Sequence, residues 1–510
     1  MEYKYINEAR TQELIDEVKR RLNVRLIVTD TMPESAEDGA MRLYSGETDV
    51  TYAQSHIYRY NEAEAKWEDV TSDNDKYPIA WDVELTQAEY DELPDDKISD
   101  DKNYYVTDGE IEDTIIYSWR INPDESAPNM CVTYLNDAIG MTPTTMGTTA
   151  FNYGTWEDAF FIPRPCMLKS DCTVDYYLDP SDYSKKEDGT PSDIANPDYD
   201  GNAMMEWGLI WFKFENGASA GEGTFSVANK QIDETYDCPC NRDANGDIIP
   251  HFYTAIYNGT GTDKLRSLSG VQLTSENGNG ETTGQEEIDR AVANNTTSDI
   301  EWYTDVLCDR MLIDALHILV GKSTNSQSTF GIGLVHEDTV PTVEDSRQLK
   351  ENYVTGTLND KGLFYGDVNN FGKPVKTFGM ENWYGCVWHR VAGLVALSTS
   401  YGYSMTQPYS IDGAGYNTLP AGNPQNGYIT KCTFGKWGYF PISVDSDLGS
   451  ATLYYADAFH KGTGYAIFGD CTRGWLNVGV NAIGMQGSFE QSNWSVSTTL
   501  SCKPMAYRFN

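Results

Sequence analysis

Phe378-Gly379-Met380-Glu381-Asn382-Trp383-Tyr384-Gly385-Cys386-Val387-Trp388-His389-Arg390 is the stretch on which the reading of the fold turns. Phe378, Trp383, Tyr384 and Trp388 each carry a large apolar surface, so the segment belongs in or beside a core. Gly379 and Gly385 allow a turn, or an approach of backbone to backbone that a side chain would block. Glu381 and Asn382 stand among these aromatics and need hydrogen-bond partners wherever they are buried. The stretch therefore reads as a structural turn built into a β-rich core. A catalytic use of Glu381 is the competing reading.

Outward from this turn, the pattern is strand-like on both sides. Ile115 to Ile121 predicts the first strand of a large domain. Met204 to Phe214 reads as one apolar strand. Leu178 to Gly189 reads as a polar loop, and Asn277 to Thr283 as a Gly/Asn-rich loop. Trp302 to Val320 has apolar residues at helical spacing, which predicts a helix. Before residue 110, Arg25 to Val28, His56 to Tyr60, Lys66 to Val70 and Tyr104 to Val106 read as short strands. Thr86 and Glu89 have capping-box spacing for a short helix. Leu14, Ile15, Val18 and Leu22 share one stripe of a helix over Ile6 to Leu22. That helix either joins identical chains or packs on its own domain.

The run Glu381 to Trp388 resembles the central motif of C-type-lectin-like folds of the formylglycine-generating-enzyme type. Tyr465 to Asp470, Gly474, Gly479 and Ser497 to Pro504 follow in the order of the closing strands of virion-surface and tail proteins of bacteriophages. The same fold carries the variable domains of retroelement-diversified proteins. The resemblance implies an α+β class: an N-terminal attachment helix over 1–23, small β-rich fibre modules over 24–110, and an elaborated lectin-like domain with inserted loops over 111–510. It also implies that the strand at Ile115 lies near Thr499 to Cys502, because the termini of such domains meet in one sheet. A host cell-surface receptor, glycan or protein, is the implied ligand. Other virion proteins are the implied partners, the assembly is expected to be a homotrimer, and the place is the virion surface, on a tail or fibre.

Composition narrows the classes. A chain of 510 residues is long enough for a large core, and 12% aromatic residues argue for a folded chain. The net charge of −40 leaves little to neutralise phosphates, so nucleic acid is not expected as a partner. No apolar run is long enough for a membrane-spanning helix. The ten cysteines are scattered, and most read as small buried apolar residues of a reduced chain.

Signatures of chemistry are sparse, and no enzyme is expected. Gly-x-Ser-x-Gly, P-loop and His-Glu-x-x-His runs do not occur. Cys471 and Cys502 are the thiols to weigh for an oxidase on this scaffold, but their spacing departs from that family's reactive pair. A glycan hydrolase would need two facing carboxylates, and 77 acidic residues cannot single out a pair. A purely structural decoration protein is the remaining alternative. Asn241 to Asp247 places oxygens at alternate positions before Gly246, like the first half of a calcium loop. Phe252 stands where the closing Glu would be, and Asn245-Gly246 is equally a hairpin turn. No cofactor is expected unless calcium binds there.

The predicted ligand-binding residues are Arg473, Trp475, Asn477, Asn481, Phe489, Gln491, Asn493 and Trp494. They combine stiff aromatic area with adaptable hydrogen bonding. Alternation along a strand would turn Val478 and Val480 inward and Asn477 and Asn481 outward. The resemblance implies the same closing region, since the diversified relatives vary there. Burial of Trp475 and Trp494 in the core is the bland alternative.

Overall fold

In a computed structural model the chain divides into two compact units, Met1–Asp113 and Thr114–Asn510. The structure describes six strands of the first unit, and residues 114–504 of the second except 147–149, 273–282, 297–299, 335–352, 371, 398, 423, 446–451, 463–464, 469–478, 488–495 and 498–499. The predicted helices at Ile6 to Leu22 and around Thr86, and the loop at Asn277, lie outside the described residues, apart from Thr283.

The described part of the first unit is β-structure. Leu26–Thr29, Met41–Tyr44, Ile57–Asn61 and Lys66–Asp69 form one sheet in chain order. The first pair is parallel and the others antiparallel, with Tyr60 opposite Trp67 in the predicted hairpin. Val83–Leu85 pairs in parallel with Tyr104–Val106.

Three large sheets and two two-stranded ones make up the described part of the second unit. An antiparallel four-stranded sheet runs Trp211–Asn216, Gly223–Ala228, Ile116–Ile121, Val132–Asn136. A seven-stranded sheet runs Asp182–Lys186, Val174–Asp179, Arg164–Lys169, Gly201–Trp207, Phe252–Ala255, Leu500–Pro504, Ile300–Thr304. A nine-stranded sheet is built around the long strands Trp388–Ala396, Gly427–Gly435 and Gly438–Asp445. The molecule is therefore mainly β, which corrects the α+β class. Only three α-helices occur among the described residues: Gly284–Val292, Leu307–Gly321 and Ser326–Phe330. Stretches read as loop or helix were recruited as strands, because paired neighbours satisfy their backbone groups.

Three local expectations change for that reason. Leu178 to Gly189 is not a loop, since Asp182–Lys186 pairs with Val174–Asp179. Trp302 lies on a strand and not in the helix: it faces Cys502 across the ladder, while Val306 remains extended and the helix starts at Leu307. Met204 to Phe214 is broken at Gly208–Ile210, where the chain leaves one sheet for another. Asn241 holds that break, accepting from Ile210 N at 3.1 Å and donating to Gly208 O at 3.1 Å.

The closing strand Leu500–Pro504 does not meet Ile116–Ile121, as the resemblance implied. It sits between Phe252–Ala255 and Ile300–Thr304, in a different sheet from Ile116–Ile121. The helix Leu307–Gly321 runs through the core, buried nearly all round. A helix buried on every face has no need of a polar stripe, and its few polar side chains must find partners inside. Trp119 Nε1 and Tyr134 Oη tie flanking strands to it by donating to the Ala315 and Leu319 carbonyls.

The turn from Phe378 to Arg390 is buried throughout. Phe378 and Asn382 take left-handed backbone conformations, with φ of 46° and 54°. A side chain on Gly379 would collide with Met205 and Tyr183, its Cβ falling 2.5 Å from each. Glu381 Oε1 accepts from Leu358 N at 2.9 Å, and Oε2 from Gly356 N at 2.8 Å and from the Tyr353 hydroxyl. These bonds account for the carboxylate as a brace of the core.

Candidate functional site

Of the predicted ligand-binding residues, Asn481 alone is among the described ones. Arg473, Trp475, Asn477, Phe489, Gln491, Asn493 and Trp494 lie outside the described residues. Asn481 is described, and it is no surface contact: it is 1% exposed. Its Nδ2 donates to Thr324 O at 2.7 Å and Tyr455 O at 3.2 Å, and its Oδ1 accepts from Tyr439 Oη at 2.8 Å. The expectation failed because alternation requires a strand. Gly479 to Asn481 form a turn, and the strand begins at Ile483. Val480 does face inward, as predicted.

Three successive amides of this turn are held by buried side chains. Gly479 N and Asn481 N donate to the two carboxylate oxygens of Asp457, at 2.6 and 2.9 Å. Val480 N donates to Ser326 Oγ at 3.1 Å. The Tyr384 hydroxyl lies 3.2 Å from Ser326 O and 2.9 Å from Gly331 O, which connects the central motif to the same base. Burial pushes the Asp457 carboxyl up to about 7. Neither Asp457 nor Ser326 had a local sequence signal, since their roles arise from residues far along the chain.

A second buried polar cluster lies at the start of the long helix. Arg310 Nε donates to Asp314 Oδ2 at 3.0 Å, and its guanidinium covers the Trp383 ring at 4.3 Å. Trp383 Nε1 donates to Asp314 Oδ1 at 2.8 Å. Asp305 Oδ2 lies 3.9 Å from Arg310 Nη1 and 4.0 Å from His389 Nδ1. Burial pushes Asp305 up to about 7 and His389 down to about 3. The unfolded chain returns Asp305 to its ordinary value near 4, so folding takes up a proton between those limits. This group's stabilisation is fully present below about pH 4 and lost as the pH rises through about 7. Asp305→Asn should therefore gain stability relative to the parent from about pH 4 to 7, and no more above, in urea unfolding at stepped pH. A difference independent of pH would contradict this.

Cys240, Cys308 and Asp309 form a group that could hold a metal ion, their ligand atoms lying within 4.8 Å of one another. The same place receives a protein cation. Lys503 Nζ stands 2.8 Å from Asp309 Oδ1, 2.8 Å from Cys240 O and 3.6 Å from Cys308 Sγ. Burial pulls this ammonium down, but Asp309 and the neighbouring thiols outweigh it and hold its pKa above the ordinary range. Sequence spacing gave no sign of the group, because its members come from a short turn, the long helix and the closing strand.

The calcium-like stretch is a hairpin turn, with Arg242 paired to Ile248 and Gly246 at φ 86°. Asn241 is engaged at the strand break, and Asp243 Oδ1 accepts from Asn245 N and Asp247 N at 2.9 and 3.0 Å. These oxygens hold the turn. Cys502, weighed with Cys471 as a reactive pair, is bonded instead to Cys172. Cys471 lies outside the described residues. The seven remaining cysteines are buried, as small apolar residues would be, and form no disulfide. No helix among the described residues is long and apolar enough to cross a membrane.

No protein-family model matches the chain, and no curated protein matches it.

Proposed function

We propose that the chain is a bacteriophage virion-surface protein, part of a tail fibre, baseplate or head fibre, whose C-terminal region presents a receptor-binding surface to the host cell. The observation that carries this reading is the anchoring of Gly479 to Asn481. Asp457 and Ser326 hold the backbone from Gly479 onward, and the strand Tyr465–Phe468 is paired on both sides in the nine-stranded sheet, so the described residues before 469 and after 478 are both built into the scaffold. Binding loops work best when a rigid scaffold sets their ends, because less entropy is then lost on contact. The residue types at Arg473, Trp475, Phe489, Asn493 and Trp494 suit such contacts. The resemblance of Glu381 to Trp388 and of the closing region supports the same reading.

Labelled full-length chain should bind host cells saturably. Binding that never saturates, or is equal on unrelated bacteria, would count against the proposal. The N-terminal region attaches the protein and joins it as a homotrimer. Light scattering should then give three times the 57.1 kDa of one chain. A monomer at micromolar concentration would contradict that part.

A further inference from the structure

The closing strand Leu500–Pro504 is docked by contacts that need no covalent bond. It pairs on one side with Phe252–Ala255 and on the other with Ile300–Thr304. Ser501 Oγ donates to Thr304 O at 3.1 Å, and the Lys503 ammonium meets Asp309 at 2.8 Å. These contacts fix Cys502 between them, fully buried.

Cys172 is presented to it by a hairpin turn between Arg164–Lys169 and Val174–Asp179. Cys172 N donates to Lys169 O, Lys169 N to Thr173 O, and Thr173 N to Asp171 Oδ1. Trp302, directly opposite Cys502 in the ladder, donates its indole N–H to Ser170 O at 3.0 Å. Cys172 stands at φ 61°, a left-handed conformation in which such turns favour glycine. The chain thus carries backbone strain at the one turn position that brings a thiol to Cys502. Both thiols are buried, but Cys172 is 4% exposed against 0% for Cys502 and its neighbour Thr173 is exposed, so Cys172 is the thiol nearer to solvent.

We propose that the fold is reached with both thiols reduced, and that the Cys172–Cys502 bond then forms as a redox-timed lock on the closing strand. The oxidant is a low-molecular-weight disulfide. The Cys172 thiol loses its proton, and its sulfur attacks that disulfide, forming a mixed disulfide and expelling one small thiolate. The deprotonated Cys502 sulfur then attacks the Cys172 sulfur and expels the second. Two electrons pass to the small disulfide, and its two thiols carry off the two protons. The lock joins positions 330 residues apart, so it removes much freedom from the unfolded chain. It does not depend on what the protein binds.

Full-length protein purified with reductant should fold, and all ten cysteines should be alkylated once it is denatured. After exposure of the folded protein to oxidised glutathione, two should be protected, with Cys172 linked to Cys502 in the peptide map and Tm raised by about 5 °C or more. Cys172→Ser and Cys172→Gly should fold and show no oxidant-dependent rise. The Gly variant should be the more stable of the two, since it relieves the strained turn. The proposal is overturned if the reduced parent does not fold, if oxidation leaves its Tm unchanged, or if Cys172→Gly keeps the rise.

Discussion

Lys503→Met should cost roughly 3–5 kcal/mol of folding stability, because it strands a carboxylate that has no access to water. Asp309 is 0% exposed in its side chain, and the Lys503 ammonium 2.8 Å away is the cation placed against it. Methionine fills a similar volume, so lost packing is a small part of the effect. Replacing both partners, as Lys503→Met with Asp309→Leu, should recover a good part of the loss, since an apolar pair of similar size often does as well as a buried ion pair. Recovery should be incomplete. Asp309 lies in the first turn of the helix, where a negative charge is favourable, and Cys240 O loses its donor. Urea unfolding of the parent, both single variants and the double variant measures the coupling. A cost below about 1 kcal/mol for Lys503→Met would mean the pair is not desolvated as the structure shows.

The contrast between what the sequence revealed and what it hid has a physical basis. Short strands with alternating or β-branched patterns were legible: Leu26–Thr29, Ile57–Asn61 and Ile116–Ile121 stand where their periodicity placed them. So was the need of Glu381 for buried partners, because an acid among four aromatics has few other solutions. Trp302 misled because a short apolar run fits either period, and its choice was made by a ladder with Leu500–Pro504, two hundred residues away in order of magnitude. The Cys172–Cys502 pairing could not be read from ten cysteines, since spacing alone does not give connectivity. At Asn481, period two was applied across a turn, and one backbone reversal was enough to turn the side chain inward.

Trp475→Ala and Trp494→Ala should weaken adsorption to host cells, at least one of them by about 2 kcal/mol or more, roughly 30-fold in affinity. Tryptophan dominates many binding surfaces because it buries a large rigid area at little entropic cost. The base at Asp457, Ser326 and Asn481 supports the expectation that such area is presented on a fixed frame. Melting temperature separates the two readings of these residues. A surface role leaves Tm nearly unchanged, whereas loss of a buried Trp would cost about 3–5 kcal/mol of stability. Normal binding by both variants, or unfolding of both, would place the surface elsewhere.

Competition with a phage carrying this chain tests the receptor-binding proposal most directly. Host cells preincubated with excess full-length chain should adsorb markedly fewer virions, and protection by at least one of Trp475→Ala and Trp494→Ala should require roughly 30-fold more protein. Adsorption unaffected by a saturating concentration of the parent chain would contradict the account.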